Sequence, residues 1–164
     1  MRIVFLDFDG VITTSGTYKR ATKVMIPQAW GPPEPHWPNP LELISRPLLA
    51  NVSDLALQIG AGIVLTTSWR ENYKREKLEG WLREAGLHKD VQIIGETPEK
   101  PGIRGNEIHA WMEDHPSITK TDIVILEDKE DVFPYRGRQV KTSFVGSNAG
   151  FTQRHLVRAL RLFP

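Results

Sequence analysis

Phe5-Leu6-Asp7-Phe8-Asp9-Gly10-Val11 decides the fold, because here an apolar run breaks off at two carboxylates spaced two residues apart and followed at once by glycine. The run that leads in, Arg2-Ile3-Val4-Phe5-Leu6, is β-branched and aromatic without polar alternation. That is the pattern of a strand buried on both faces of a parallel sheet. In an extended segment side chains alternate with a period of two, so Asp7 and Asp9 are expected on one face. Two carboxylates placed together repel unless a cation or a proton lies between them. A strand end that carries this cost points to chemistry rather than to a simple turn.

Downstream of that stretch, residues 13–40 change in composition. They are polar and basic at first (Tyr18, Lys19, Arg20, Lys23), then carry Pro27, Pro32, Pro33, Pro35, Pro38 and Pro40 around Trp30, His36 and Trp37. Six prolines exclude a long helix. A connection of this length is functional or disordered, and its tryptophans favour an ordered lid packed onto the domain.

Beyond the insert, apolar residues at helical spacing (Leu48, Leu49, Val52, Leu55, Ala56, Ile59) predict a helix that ends at Gly60. A second strand over 62–66 runs into the polar cluster Thr66-Thr67-Ser68-Trp69-Arg70. An amphipathic helix over 73–85 turns Leu78, Trp81 and Leu82 inward, and a third strand covers 91–94. Lys100 and Arg104 precede a helix with Ile108, Trp111 and Met112 in its core pattern. The fourth strand, 123–126, stops at Glu127-Asp128-Lys129-Glu130-Asp131, and a fifth spans 140–145. A final helix begins near Thr152 with the stripe Leu156, Ala159, Leu160 and Phe163, which leaves Arg154, Arg158 and Arg161 outside it.

Strands alternating with helices predict an α/β fold with a parallel sheet covered on both sides, as one domain over 1–164 with 13–40 as its insert. Ligands in such sheets bind beyond the carboxyl ends of the strands, where strand order reverses. The first, second and fourth strands all end in acids or hydroxyls there.

Composition narrows the function. The 164 residues hold 21 basic and 20 acidic side chains, a net charge of +1, so no global field draws the chain to nucleic acid or to an anionic membrane. Cysteine is absent, which excludes disulfides, thiolate metal sites and cysteine nucleophiles, and suits the cytoplasm. No apolar stretch reaches the length of a membrane span, and no protein partner is implied. A glycine-rich loop ending in Lys-Ser/Thr is missing, which argues against a kinase.

Convergent carboxylates without His or Cys suit a hard cation, and magnesium above others, since it binds through one or two carboxylates together with substrate phosphate. A carboxylate beside such an ion can attack phosphorus while a second carboxyl group protonates the leaving oxygen. A hydroxyl from the second strand and a cation before a later helix would hold the phosphoryl oxygens.

The ordered set resembles the haloacid dehalogenase-like (HAD) phosphohydrolases. Leu6-Asp7-Phe8-Asp9-Gly10-Val11 is similar to their first motif, which implies Asp7 as nucleophile and Asp9 as general acid and base. Their second motif is a hydroxyl closing the next strand, for which Thr67 is preferred and Thr66 remains open. Their third is a Lys or Arg at a helix start, where Arg104 is preferred over Lys100. Their acidic fourth motif resembles Glu127-Asp128 with Asp131, the usual Asp-Asp pair being replaced at Glu127. Metal ligands implied are Asp7, Asp9, Glu127, Asp128 and Asp131, and Gly10, Thr66, Ser68 and Arg70 are candidates for substrate binding.

The resemblance also implies a Rossmann-like three-layer sandwich with strand order 5-4-1-2-3 and a small flap in place of a large cap. Ser68-Trp69-Arg70, Arg104-Gly105-Asn106-Glu107-Ile108 and Gly150-Phe151-Thr152 resemble a subgroup found as phosphatase domains in RNA-repair proteins. The expected function is a magnesium-dependent phosphatase working through an aspartyl-phosphate. Its expected substrate is a nucleotide or a polynucleotide 3′ or 5′ end; a small-metabolite phosphatase and a non-catalytic phosphate-binding or nucleic-acid-binding module are the competing readings.

Overall fold

The computed structural model describes residues 1–22, 25–26, 34–35 and 38–163, with 25, 26, 34 and 35 in backbone only. Its elements in chain order are β1 (Arg2–Leu6), α1 (Ser15–Thr22), β2 (Met25–Ile26), β3 (Glu34–Pro35), α2 (Pro40–Leu43), α3 (Arg46–Ile59), β4 (Ala61–Leu65), α4 (Arg75–Glu84), β5 (Ile93–Glu96), α5 (Arg104–Glu113), β6 (Ile123–Glu127), β7 (Gln139–Lys141) and α6 (Gln153–Leu160).

Five strands form one parallel sheet in the order β5-β4-β1-β6-β7. Numbered along the chain this is 3-2-1-4-5, the expected order read from the other edge, and the fold is the Rossmann-like α/β arrangement. Its centre is β1, where Leu6 stands level with Leu65 of β4 and Leu126 of β6. The chain therefore leaves all three strands at one height, side by side.

The period of two in β1 divides the core. Val4 and Leu6 face a cluster with Leu49, Leu55, Leu78, Leu82 and Leu156 from α3, α4 and α6. Ile3 and Phe5 face the opposite cluster with Ile108 and Trp111 of α5, and Phe5 meets the Trp111 ring edge-on at 5.3 Å. Burial of these large side chains on both faces contributes on the order of 1.5–3 kcal/mol each.

Two strands differ from expectation by more than one residue in their bounds. The third begins at Ile93 because Ile93 is the residue that pairs with Ile63, after which the register is irregular between Ile63 and Val64. The fifth is confined to Gln139–Lys141, because the backbone beyond it turns to other partners. There the Ser15 N–H donates to Phe144 O and the Gly150 N–H to Ser143 O.

Within 13–40, the proline-free start folds as α1, β2 pairs antiparallel with β3, and α2 opens on a capping box between Asn39 and Glu42. The expectations for Lys23, Trp30, His36 and Trp37 lie outside the described residues.

The end of the chain is tied down on both sides. The buried Phe151 N–H donates to Val11 O at 2.7 Å, and Asn51 Nδ2 donates to Phe151 O at 2.9 Å. At the far end of the sheet the Phe163 ring lies under the guanidinium groups of Arg2, at 5.0 Å, and Arg138, at 4.8 Å. Among the described residues no helix is long and apolar enough to cross a membrane.

Candidate active site

The loop after β1 is tight. The carbonyl of Phe8 accepts from the N–H groups of Val11, Ile12 and Thr13 at 3.1, 2.9 and 3.0 Å, and the Gly10 N–H donates to Thr13 O at 2.9 Å. The regular strand ends at Leu6, with the Asp7 N–H still donating to Leu126 O at 3.1 Å. Asp7 and Asp9 both line one cleft of about 380 Å³, together with Arg104, Asp128, Ser68 and Tyr18, but their surroundings differ.

Asp7 lies with Glu127 and Asp128, one carboxylate oxygen of each falling within 4.8 Å of the others. Asp7 and Glu127 are buried and Asp128 half-buried. Gly10 makes room for Asp128: its φ is +79°, and a Cβ there would fall 2.4 Å from Asp128 Cβ. Only glycine combines that backbone with that approach. Burial raises the Asp7 pKa, Arg104 opposing it, and burial followed by the nearby Asp7 charge raises that of Glu127. The oxygen-only donor set and the shortage of positive charge both fit a hard divalent cation such as magnesium.

Glu127 has both oxygens engaged. Oε1 accepts from the N–H groups of Asp128 at 3.0 Å and Lys129 at 3.2 Å, and Oε2 accepts from Arg104 Nε at 3.2 Å. Its place is therefore beneath the cluster, holding the turn that presents Asp128. Asp131 stands apart from the three. Its Oδ2 accepts from the Arg104 N–H at 3.4 Å and its carbonyl from the Gly105 N–H at 2.9 Å, so it caps α5. The expectation that it joins the metal ligands meets this capping role instead.

Arg104 reaches the site and Lys100 stays exposed. The guanidinium of Arg104 pairs with Glu107 at 2.6 Å, Glu127 at 3.2 Å and, more loosely, Asp7 at 3.7 Å. Burial opposes its charge, but the Asp7, Glu107 and Glu127 carboxylates hold its pKa above the ordinary value. Gly105 lets α5 approach this closely, since a Cβ on it would fall 1.9 Å from Phe133 O.

Arg70 is turned away from the cleft. Its Nη1 donates to the carbonyls of Thr66 and, at 2.7 Å, Thr67, while Nη2 pairs with Glu107 at 2.7 Å. With its side chain 3% exposed, it locks the end of β4 to α5. Thr66 and Thr67 are both fully buried. Thr67 Oγ1 accepts the Trp69 N–H at 3.3 Å, whereas Thr66 Oγ1 has no partner among the described residues. Ser68 is exposed on the cleft wall.

Sequence reasoning passed over the side chains that hold Asp9. Oδ1 accepts from the hydroxyls of Thr13 at 2.7 Å and Tyr18 at 3.2 Å, and Oδ2 accepts from Trp69 Nε1 at 3.0 Å. Burial and then the Asp9 charge push the Tyr18 phenol well above its ordinary pKa, so it stays a donor. The Trp69 ring is fixed by edge contacts to Phe8, at 5.2 Å, and Trp81, at 6.4 Å.

No curated protein matches the chain. The family described as "HAD domain in Swiss Army Knife RNA repair proteins" matches residues 3–156. That match takes in β1, the loop with Asp9 and Gly10, Arg104 and the Glu127-Asp128 turn, and the chain belongs to this HAD family.

Proposed function

We propose that this protein is a magnesium-dependent phosphatase that cleaves a phosphomonoester through an aspartyl-phosphate on Asp7. Membership of a HAD family supports phosphatase chemistry in general. The observation that carries the finer reading is the unequal surroundings of the two acids in one cleft: Asp7 among carboxylates and Arg104, Asp9 in a cage of three donors. Asp7, Asp128 and, from beneath, Glu127 would hold the ion, which when bound offsets their repulsion and draws charge from the phosphoryl oxygens.

In the first step an Asp7 oxygen bonds to phosphorus as the bond to the leaving oxygen breaks, and Asp9 gives that oxygen a proton. In the second, water attacks phosphorus, Asp9 takes the proton back, and phosphate leaves Asp7. A carboxylate has about four lone-pair sites. Thr13 and Tyr18 occupy those of Oδ1 and Trp69 one of Oδ2, so the proton Asp9 carries belongs on the remaining site of Oδ2. Arg104, which lines the cleft, is the cation suited to the phosphoryl oxygens, with Thr67, or else Thr66, as the hydroxyl at the end of β4.

For the substrate we favour a nucleotide or a nucleic-acid 3′ or 5′ end, supported by the RNA-repair context of the family and by the open cleft. The deciding experiment is phosphate release from an aryl phosphate, with and without magnesium, followed by a panel of nucleotides, phosphorylated oligonucleotides and sugar phosphates. Turnover is expected only with the metal and is expected to vanish in Asp7→Asn. Retained turnover in that variant would sink the mechanism, and a preference for sugar phosphates would transfer the reading to a metabolite phosphatase.

A further inference from the structure

The cleft has a second chamber. Asp9, Tyr18 and Ser68 line the chamber of the acidic cluster and also a neighbouring one of about 380 Å³. Beyond that shared rim the second chamber is walled by Trp69, Tyr73, Asn72, Pro38 and Leu43. Two cavities joined at the acid that protonates the leaving oxygen stand in a fixed chemical relation. Phosphorus lies toward Asp7, and the body of the leaving group must extend past Asp9.

The walls define what that body is. Among the described residues that line it, Asp9 is the one charged side chain, and no Lys or Arg is present. A further phosphate on the leaving group would meet a carboxylate with no counter-charge. The remaining surface is aromatic and apolar, and it is rigid. Trp81, buried behind it, makes an edge contact with Tyr73 at 4.8 Å and with Trp69 at 6.4 Å. Asn72 adds an amide, with both donors and an acceptor, at the rim. A flat, uncharged ring with a polar edge meets all of these conditions, and the volume is within the range of small-ligand pockets.

We propose that the second chamber is a leaving-group subsite that takes the nucleobase of a terminal nucleoside, its face against Trp69 and Tyr73 and its edge on Asn72. The assignment rests on the reading of Asp9 as the acid. The Asp9–Trp69 bond makes one side chain serve both the proton donor and the base-binding wall, so an occupied chamber keeps the acid in place. Because the wall offers stacking and a single amide, discrimination among the four bases is weak and discrimination against base-free sugars is strong.

The test is calorimetric titration of the Asp7→Asn protein, in magnesium, with adenosine 5′-monophosphate and with ribose 5-phosphate, a pair that differs only in the base. The nucleotide is expected to bind about tenfold tighter, the scale of one stacked base. Tyr73→Ala and Asn72→Ala, each made in the same background, are expected to shrink that ratio. Both positions are exposed, and urea unfolding compared with the parent confirms that each variant is folded. Equal affinity for the two ligands, or a ratio that survives in both variants, would overturn the subsite. A 3′-phosphorylated dinucleotide and adenosine 3′-monophosphate identify the source of the nucleoside. Tighter binding of the dinucleotide supports the chamber with a polynucleotide end, and equal binding supports it with a mononucleotide. The two readings fail separately: turnover by the wild type without base preference removes the subsite alone, and base-dependent binding without turnover of any phosphomonoester removes the phosphatase alone.

Discussion

The indole N–H of Trp69 donates to Oδ2 of Asp9 at 3.0 Å, joining side chains 60 residues apart in sequence. Trp69→Phe keeps an aromatic ring between Phe8 and Trp81 but deletes this bond and part of the indole's packing. A positioned acid is worth roughly 10²–10⁴ in rate, and losing one of its three anchors should cost kcat about tenfold or more. The loss in stability should be roughly 1–3 kcal/mol, from one hydrogen bond and the contacts of the lost ring. Steady-state kinetics beside urea unfolding separate the two effects. A fall in kcat with KM little changed on an aryl phosphate is expected, whereas a rise in KM alone would place Trp69 in binding only.

Arg70 has the residue type of a phosphate ligand but the contacts of a structural bolt. Truncation to alanine removes the bonds to the Thr66 and Thr67 carbonyls and leaves Glu107 to Arg104 alone. Breaking a buried ion pair from one side costs about 3–5 kcal/mol. Urea unfolding should show a loss of that order. A fully stable Arg70→Ala protein with weakened phosphate binding would return Arg70 to the substrate.

Gly10 has no tolerance for a Cβ. In Gly10→Ala the φ of +79° is strained and the new methyl collides with Asp128. Overpacking of this kind costs roughly 1–3 kcal/mol, and here it also displaces the carboxylate suited to the metal. Magnesium titration followed by calorimetry should show weaker binding than in the wild type, by a larger factor than in Lys100→Ala. Undiminished binding would remove Asp128 from the metal site.

His155 makes stability depend on pH through the cap of α6. Its Nδ1 accepts from the Thr152 N–H at 3.2 Å and lies 2.9 Å from the Thr152 hydroxyl, a role for the neutral ring only. Burial, then the charges of Arg158 and Arg154, hold its pKa below the ordinary imidazole value. The native state therefore binds fewer protons than the unfolded chain just below that ordinary value. This contribution is present above it and is lost as pH falls through the lowered one. His155→Gln preserves the capping pattern without titrating. Its urea midpoint should fall less than that of the wild type between about pH 7.5 and about pH 5.5. Parallel decline of the two proteins would rule out the cap as the sensor.

The parts legible in the sequence are those where one segment carries its own signal. Ile3 to Leu6 are buried on two faces and need no neighbour to say so, and the acids at 7 and 127–128 fall where the chain leaves such a strand. The third and fifth strands were misplaced at their ends because pairing sets those ends. Ile93 is included by Ile63, and Lys141 by Glu127. The Asp9 cage was invisible for a related reason. It joins Thr13, Tyr18 and Trp69 from three segments, and no periodicity within one segment reports a contact between segments. Asp131 and Arg70 show the converse: a residue of the right type near the right motif is claimed by a helix end or a carbonyl pair before it can reach the cleft.

The Phe163 ring held between Arg2 and Arg138 has a practical side. Arg2 opens β1, and the cleft lies beyond the other end of that strand, past Leu6. Arg2 and Phe163 thus lie at the opposite pole of the sheet from Asp7. A surface anchor attached beside either residue leaves the mouth of the cleft clear. On the proposed phosphatase reading, immobilised protein should release phosphate from an aryl phosphate at the rate of free protein.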